Sequence, residues 1–412
     1  CTVVVNSNTT IITTFNAQQV PTGNRVDHLN SSGAVISTFT AIQACADVAH
    51  AGETCLVYQG IYNERVTTKR HGTSVNPITF KARVSSVSVG PAGIDLKSQT
   101  AQSSLMDGFI VNHSYVNVSG FNISPNNLGC YAAGIEIAGD NSEVTGNYIH
   151  NIPGGDGIRI SGDYARIKNN IIFMVNKGMT INTTSSNNTI EFNDLSRMIY
   201  NCQDADFFRV FGSNHMIRNN YIHDNVVSEI PYANTHPDII QTFGANGEIA
   251  SNILFEHNFA INLPGTQLGN FEVYISNNIG DWVFKDNVYV DIGMQANFYI
   301  PRVRFYNNTL YNINKNSIVL FFRSASRGKG DYGEVKNNLF IDSGLDVRNS
   351  LYMFETGLIG MSGNYNYIAG APSTYKTKNN WTDIQEPYGI NGGDPKFVNV
   401  NNPLGPDGIP FT

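Results

Sequence analysis

In "THPDIIQT", residues 235–242, a histidine and an aspartate flank a proline just ahead of an apolar pair. Related phrases recur along the chain: "AGIEI" from Ala133, "DGIRI" from Asp156, "KGMTI" from Lys177, "DFFRV" from Asp206 and "GNFEV" from Gly269. Aligned with "DIIQT" on their apolar alternation, they place Asp156, Lys177, Asp206 and Asp238 in one column. Three residues on, a second column holds Glu136, Arg159, Thr180, Arg209, Gln241 and Glu272. Asp204 and His236 stand two residues upstream of Asp206 and Asp238. An isolated aspartate before a strand is usually a turn residue. Three of them, with lysine, two arginines, histidine and two glutamates over a few repeats, point instead to a site. Close carboxylates resist joint ionisation, so one can be held as an acid while the other serves as base or nucleophile, the division that glycosidic cleavage uses.

Such a column requires strands stacked side by side, and a second repeat supplies them. "VTGNYIHN", "RIKNNIIFM", "TIEFNDL", "IRNNYIHDN", "LFEHNFAIN", "VFKDNVYVD", "RFYNNTLYN" and "EVKNNLFID" share an apolar-x-x-Asn-x-apolar core. The aligned residues are Asn147, Asn170, Asn193, Asn220, Asn258, Asn287, Asn308 and Asn338. Short strands and turns repeating at this period describe a parallel β-helix with coils about 4.8 Å apart. The asparagines are expected to form a structural ladder at a bend, with left-handed φ tolerated there, and His150 and His223 to be ladder members. Adjacent coils would bring Asp206 and Asp238 to ~5 Å, and Asp156 to ~10 Å from Asp206. Alternation directs Ile158 and Ile160, Phe208 and Val210, and Ile240 and Thr242 inward, leaving Arg159, Arg209 and Gln241 on one exposed face.

Composition agrees with an all-β chain. Of 412 residues only 14% are charged, while Gly numbers 38, Tyr 20 and Phe 23. A net charge of -7 without basic runs gives no electrostatic reason to expect nucleic acid or an anionic membrane. No apolar run has membrane-helix length, and the chain reads as a mature, soluble, monomeric product. Cys45 and Cys55 flank a helix-to-strand turn that a disulfide closes easily; Cys130 and Cys202 form a second candidate pair, leaving Cys1 over or as the lipid-bearing residue of a bacterial lipoprotein, the alternative being five reduced, buried thiols. Residues 38–50, with Thr38 as cap, predict an amphipathic helix over the open end of the solenoid. Neither a phosphate-binding glycine loop nor zinc spacing occurs; "SRGKGDYG" near residue 326 is read as a solvated turn.

Residues 41–66 resemble the N-terminal cap and first coil of the pectin-lyase-like superfamily, and "GDPKFVNVNNPLGPDG" resembles the tail of its secreted bacterial members. The resemblance implies one right-handed parallel β-helix with a capping helix: cap and first coil over 1–66, coils over 67–370, and an irregular C-terminal cap over 371–412. "GGDGIRI" and "DADFFRV" are similar to the aspartate strands of polygalacturonase-type glycosidases, which implies acid/base roles for Asp156, Asp204 and Asp206. The chain departs from that pattern: it lacks Asn-Thr-Asp, Asp-Asp and Gly-His-Gly, its only Arg-Ile-Lys precedes the doubled-Asp strand, and Lys177 interrupts the aspartate column.

These observations lead to a secreted or cell-surface glycoside hydrolase acting on a poly- or oligosaccharide without a required cofactor. Asp206 and Asp238 are its expected proton-transfer pair, with Asp204 as replacement, Asp156 nearby and His236 orienting Asp238. Arg159, Lys177, Arg209, Gln241, Glu136, Glu272 and Tyr232 would contact sugar, and Tyr200, Phe207 and Phe243 would offer stacking faces. Residues inserted between Asn220 and Asn258 would wall the cleft. A lyase or epimerase is the alternative, with Lys177 or an arginine removing the proton α to a uronate and the aspartates holding Ca²⁺. A non-catalytic glycan-binding solenoid is the second alternative.

Overall fold

The structure, a computed structural model, describes residues 23–83, 105–125, 132–199, 205–230, 237–244, 247–273, 279–313, 318–343, 352–369 and 388–391, with residues 396 and 399. The chain winds as a parallel β-helix of about nine turns. One wall is a sheet whose parallel strands run from Thr54–Val57 to Ser362–Asn364. At its N-terminal edge Val26–Leu29 pairs antiparallel with both Val35–Phe39 and Thr54–Val57. The other strands stack in the same sense, and long ones such as Tyr148–Ile160 and Phe259–Val273 turn a corner through a register shift.

The asparagines form a continuous buried ladder. Asn193 donates its backbone N–H and its Nδ2 to Asn220 Oδ1, both at 3.0 Å, and Nδ2 also reaches the backbone oxygens of Ile167 and Glu191. The pattern repeats from Asn147 to Asn338 and ends on Asn366, one rung beyond the sequence alignment. Each amide is thereby nearly saturated in the dry interior, where an unmade bond is most costly. The ladder asparagines are not the left-handed residues. Positive φ falls one residue before each rung, as at Asn169, Phe192 and Asn219, and also six before and four after, as at Asn187 and Arg197 around Asn193. Three corners therefore recur at fixed offsets, so the coil-length variation, from 21 to 38 residues between rungs, is confined to the remaining side. His150, Phe173, Ser196 and His223 share one column three residues past the rungs, placing both histidines in register.

The helix Ile42–Val48 buries Ile42, Cys45 and Ala46 beside the first coils. It starts later than expected. Thr38 belongs to the strand Val35–Phe39 and donates its hydroxyl to Asp27, while Ala41 at the N-cap offers no side-chain acceptor. Glu64 caps from the neighbouring coil, accepting the N–H groups of Ile42 and Gln43 at 2.7 and 2.9 Å, a long-range contact no local pattern reveals. Cys45 and Cys55 are disulfide-bonded with Cα atoms 6.0 Å apart; Cys1, Cys130 and Cys202 lie outside the described residues.

Candidate active site

The variable side of the coils carries the predicted columns. Asp156 pairs with Ala133 and Lys177, and Arg159 with Glu136 and Thr180; Thr180 pairs with Arg209, and Arg209 with Gln241. Gly178 N–H donates to the Asp206 carbonyl and Phe207 N–H to the Asp238 carbonyl, both at 2.9 Å, which extends the first column through Lys177, Asp206 and Asp238. Asp156, Asp206 and Asp238 therefore occupy one ridge of backbone, in the order the sequence alignment gives.

Strict alternation would turn those aspartates inward with Ile158, Phe208 and Ile240. The strand bends instead, so two consecutive residues face the core: Phe207 with Phe208 and Ile239 with Ile240 are all buried in it. In the earlier coils the first of each pair is glycine. A Cβ on Gly157 would stand 2.7 Å from the Gly178 carbonyl and Ile172 Cγ2, and one on Gly178 would stand 2.5 Å from the Phe207 carbonyl. This bend puts each aspartate on the same side as the residue three positions on. Phe207, expected to stack on sugar, is core for the same reason.

The face is not the open carboxylate surface expected. Asp156, Asp206 and Asp238 are each 0% exposed. Asp156 Oδ2 accepts Arg159 Nε and Nη2 at 3.1 and 2.7 Å, and its Oδ1 lies 3.3 Å from Lys177 Nζ. Asp206 Oδ2 accepts Arg209 Nε at 2.8 Å, and Asp206 Oδ1 receives the backbone N–H of Asp238 at 3.3 Å. Asp238 Oδ2 accepts Gln241 Nε2 at 3.1 Å. Lys177 is 4% exposed and donates to Asn176 Oδ1 at 3.1 Å. Burial pulls its ammonium below the ordinary lysine range; Asp156 opposes the shift and the Arg209 charge reinforces it.

Glu272 does not join the Gln241 position. Gln241 pairs with Asn270, and Glu272 pairs with Phe243 and bonds Arg327 from the 326 turn. The slip is two residues, which leaves inward and outward alternation unchanged and so escapes a pattern-based alignment. Phe243 stands on the same side of the strand as Gln241, with the Arg209 guanidinium 5.6 Å from its ring centre. Arg65 is a member that sequence reasoning missed: it reaches across two coils to bond Glu136 Oε1 at 2.9 Å and the Ala133 carbonyl at 2.7 Å. Asp204, His236, Tyr232 and Tyr200 lie outside the described residues, as does most of the expected wall; its described part includes the turn Val227–Glu229.

Solved structures share this winding. A mannuronic acid specific polysaccharide family 6 lyase from human gut microbiota has a TM-score of 0.55 at 11% identity, over 83% of this chain and 86% of that one. Pectate lyase Pel9A has a TM-score of 0.51 at 15% identity, over 92% and 84%. What these structures share with the chain is the parallel β-helix fold. The catalytic domain of a GH87 alpha-1,3-glucanase, in complex with nigerose, has a TM-score of 0.50 at 11% identity, over 77% of this chain and 60% of that one. No family model and no curated protein matches the sequence.

On this β-helix Asp156, Asp206, Glu136 and Glu272 do not fit a calcium site. Asp156 and Asp206 are held by Arg159 and Arg209, Glu136 by Arg65 and Glu272 by Arg327. No group of three acidic, histidine or cysteine side chains converges among the described residues. A divalent cation would have to displace guanidinium groups and take up their partners in their place. The arrangement instead places arginine beside a buried lysine whose ammonium is destabilised by burial, a donor and acceptor set suited to moving a proton beside an anion.

Proposed function

We propose that the protein cleaves an acidic polysaccharide by β-elimination, with Lys177 as the proton acceptor. The observation that carries this reading is a buried lysine whose ammonium is disfavoured, flanked in the next coils by Arg159 and Arg209. Each guanidinium carries five N–H donors in a planar fork of the kind that recognises a uronate carboxylate. Arginine at that carboxylate acidifies the adjacent C–H. Lys177 takes the proton, the carbon–carbon double bond forms, and the bond to the leaving glycosidic oxygen breaks. The lysine proton then passes to that oxygen. Asp156 and Asp206 orient the guanidinium groups. The lyases of similar fold, a mannuronic acid specific enzyme and a pectate lyase, support this class of substrate.

A glycoside hydrolase is the second reading. It is favoured by the Asp206–Asp238 contact and by the Gln241 amide at Asp238 Oδ2, and the similarity to an alpha-1,3-glucanase agrees with it. In either case action on extracellular glycan fits the disulfide. Among the described residues no helix is long and apolar enough to cross a membrane.

The test is growth of ultraviolet absorbance from unsaturated uronate over a panel of acidic and neutral polysaccharides. Lys177→Met should cut kcat by about 10²–10⁴-fold with little change in KM. Because burial lowers the Lys177 pKa, the rate should rise with pH and level off below the ordinary lysine range. Saturated products made at undiminished rate by Lys177→Met would transfer the assignment to the Asp206–Asp238 pair.

A further inference from the structure

The charged columns end abruptly. Beyond Arg209 the outward position is taken by Gln241, Asn270, Asn297 and Phe321 on successive coils, and beyond Asp238 by Gln267 and Met294. Three coil steps, ~14 Å, therefore present no ionisable group in the column beyond Arg209, and the column beyond Asp238 is neutral at Gln267 and Met294. The charged neighbours fall outside these columns by register: Glu272 is bonded to Arg327, and Arg323 lies over the rings of Phe321 and Tyr299 at 4.4 and 5.2 Å. Gln241, Gln267, Asn270 and Asn297 keep only 5–8% exposure. The side-chain oxygens of Gln241, Gln267 and Asn297 are buried with no hydrogen-bond partner.

Those three acceptors distinguish ligands. A terminal amide can turn to offer either its oxygen or its nitrogen, and a sugar hydroxyl, both donor and acceptor, satisfies it either way. A carboxylate, acceptor only, leaves the oxygens unsatisfied and could be met only by turning the amides, which at Gln241 gives up the bond to Asp238 Oδ2; no cation at Gln241, Gln267, Asn270 or Asn297 repays its desolvation. An aromatic ring at the end of the row, Phe321, adds a face for the apolar side of a pyranose.

We infer that the groove from Gln241 to Phe321 is a subsite for neutral, hydroxyl-bearing sugar residues, so that the substrate is a heteropolysaccharide whose acidic unit lies over Lys177 and whose neutral units lie over the amides. The second half of this statement rests on the proposed elimination at Lys177; the subsite itself does not.

The experiment is titration calorimetry with oligosaccharides of equal length: neutral (gluco-, manno- and galacto-oligosaccharides), purely uronic (oligogalacturonide and oligomannuronide), and mixed fragments of alternating uronic acid and neutral hexose. Wild-type protein should bind mixed fragments at least about tenfold more tightly than pure uronides, and the Gln267→Leu/Asn297→Leu double variant should lose that preference while keeping its affinity for pure uronides. Pure uronides bound as tightly as mixed fragments by the wild type would overturn the inference, needing no variant; so would a preference that survives in a folded double variant. Unsaturated product from a pure uronan without mixed-chain preference would sink the subsite and leave the lyase reading standing. Preferential mixed binding without elimination would do the reverse.

Discussion

Asn308 and Asn297 are eleven positions apart, on adjacent walls of the same β-helix, and have opposite surroundings. Asn308 Oδ1 accepts two N–H groups from Asn287, and Asn308 Nδ2 donates to Phe284, Tyr306 and Asn338. Asn297 Oδ1 is also buried and has no partner. Stacking at ~4.8 Å rewards repetition of an amide at a bend, because each rung donates to the next and accepts from the last. On the groove wall the neighbours are strand residues whose backbone bonds are spent on pairing, and charge cannot repeat at that spacing without cost. The column there reads aspartate, lysine, aspartate, aspartate, each aspartate drawing on a partner three residues on. One wall is saturated and invariant in geometry, while the other retains buried hydrogen-bonding atoms without partners. The difference separates what holds the solenoid together from what is available to a ligand.

The same substitution on the two walls sharpens this contrast. Asn220→Leu strips two donors of their acceptor and two carbonyls of their donor in the ladder, and should cost at least about 3 kcal/mol in denaturant unfolding. A loss under about 1 kcal/mol would show that the ladder is dispensable.

A pH titration probes one column of the constant side, where His150 and His223 share a position. Burial depresses His223, but hydrogen bonds from its ring to Asp194 and Asp224 prevail and raise it to about 9; burial lowers His150 to about 4. For His223 the folded pKa lies above the unfolded value near 6.5, so its contribution is complete below pH ~6.5 and is lost as pH rises through about 9. His150 is opposite: its contribution is complete above pH ~6.5 and is lost as pH falls toward 4. Each is worth on the order of 3 kcal/mol. His223→Gln should flatten the alkaline limb of stability and leave the acid limb; chemical shifts of the two rings report the same values directly. Asn297→Leu should give the smallest effect, under about 1 kcal/mol in either direction, since removing an unpartnered carbonyl costs little. A loss equal to that of Asn220→Leu would erase the distinction between the walls.

The sequence made the ladder readable because a rung is a single residue type whose role needs only its own repeat; Asn366 escaped because Gly363 stands where the other copies carry an apolar side chain three residues before the rung. The column of Asp156, Lys177, Asp206 and Asp238 was readable as register. Its burial was not, since the double inward bend at Phe207 and Phe208 lies outside simple alternation. Glu272 was misplaced because a two-residue slip preserves every inward and outward assignment. Arg65 and Glu64 act across coils, Arg65 on Glu136 and Glu64 on the helix start, and nothing in their local sequence marks either role.

The account depends on Lys177 working as a base and not on paired carboxylates working on water. Digestion of an acidic polysaccharide in heavy-oxygen water, read by mass spectrometry, distinguishes the two at the product. Elimination predicts unsaturated fragments carrying no heavy oxygen, lighter than hydrolytic fragments by one water; saturated fragments with one heavy oxygen at each new reducing end would contradict it.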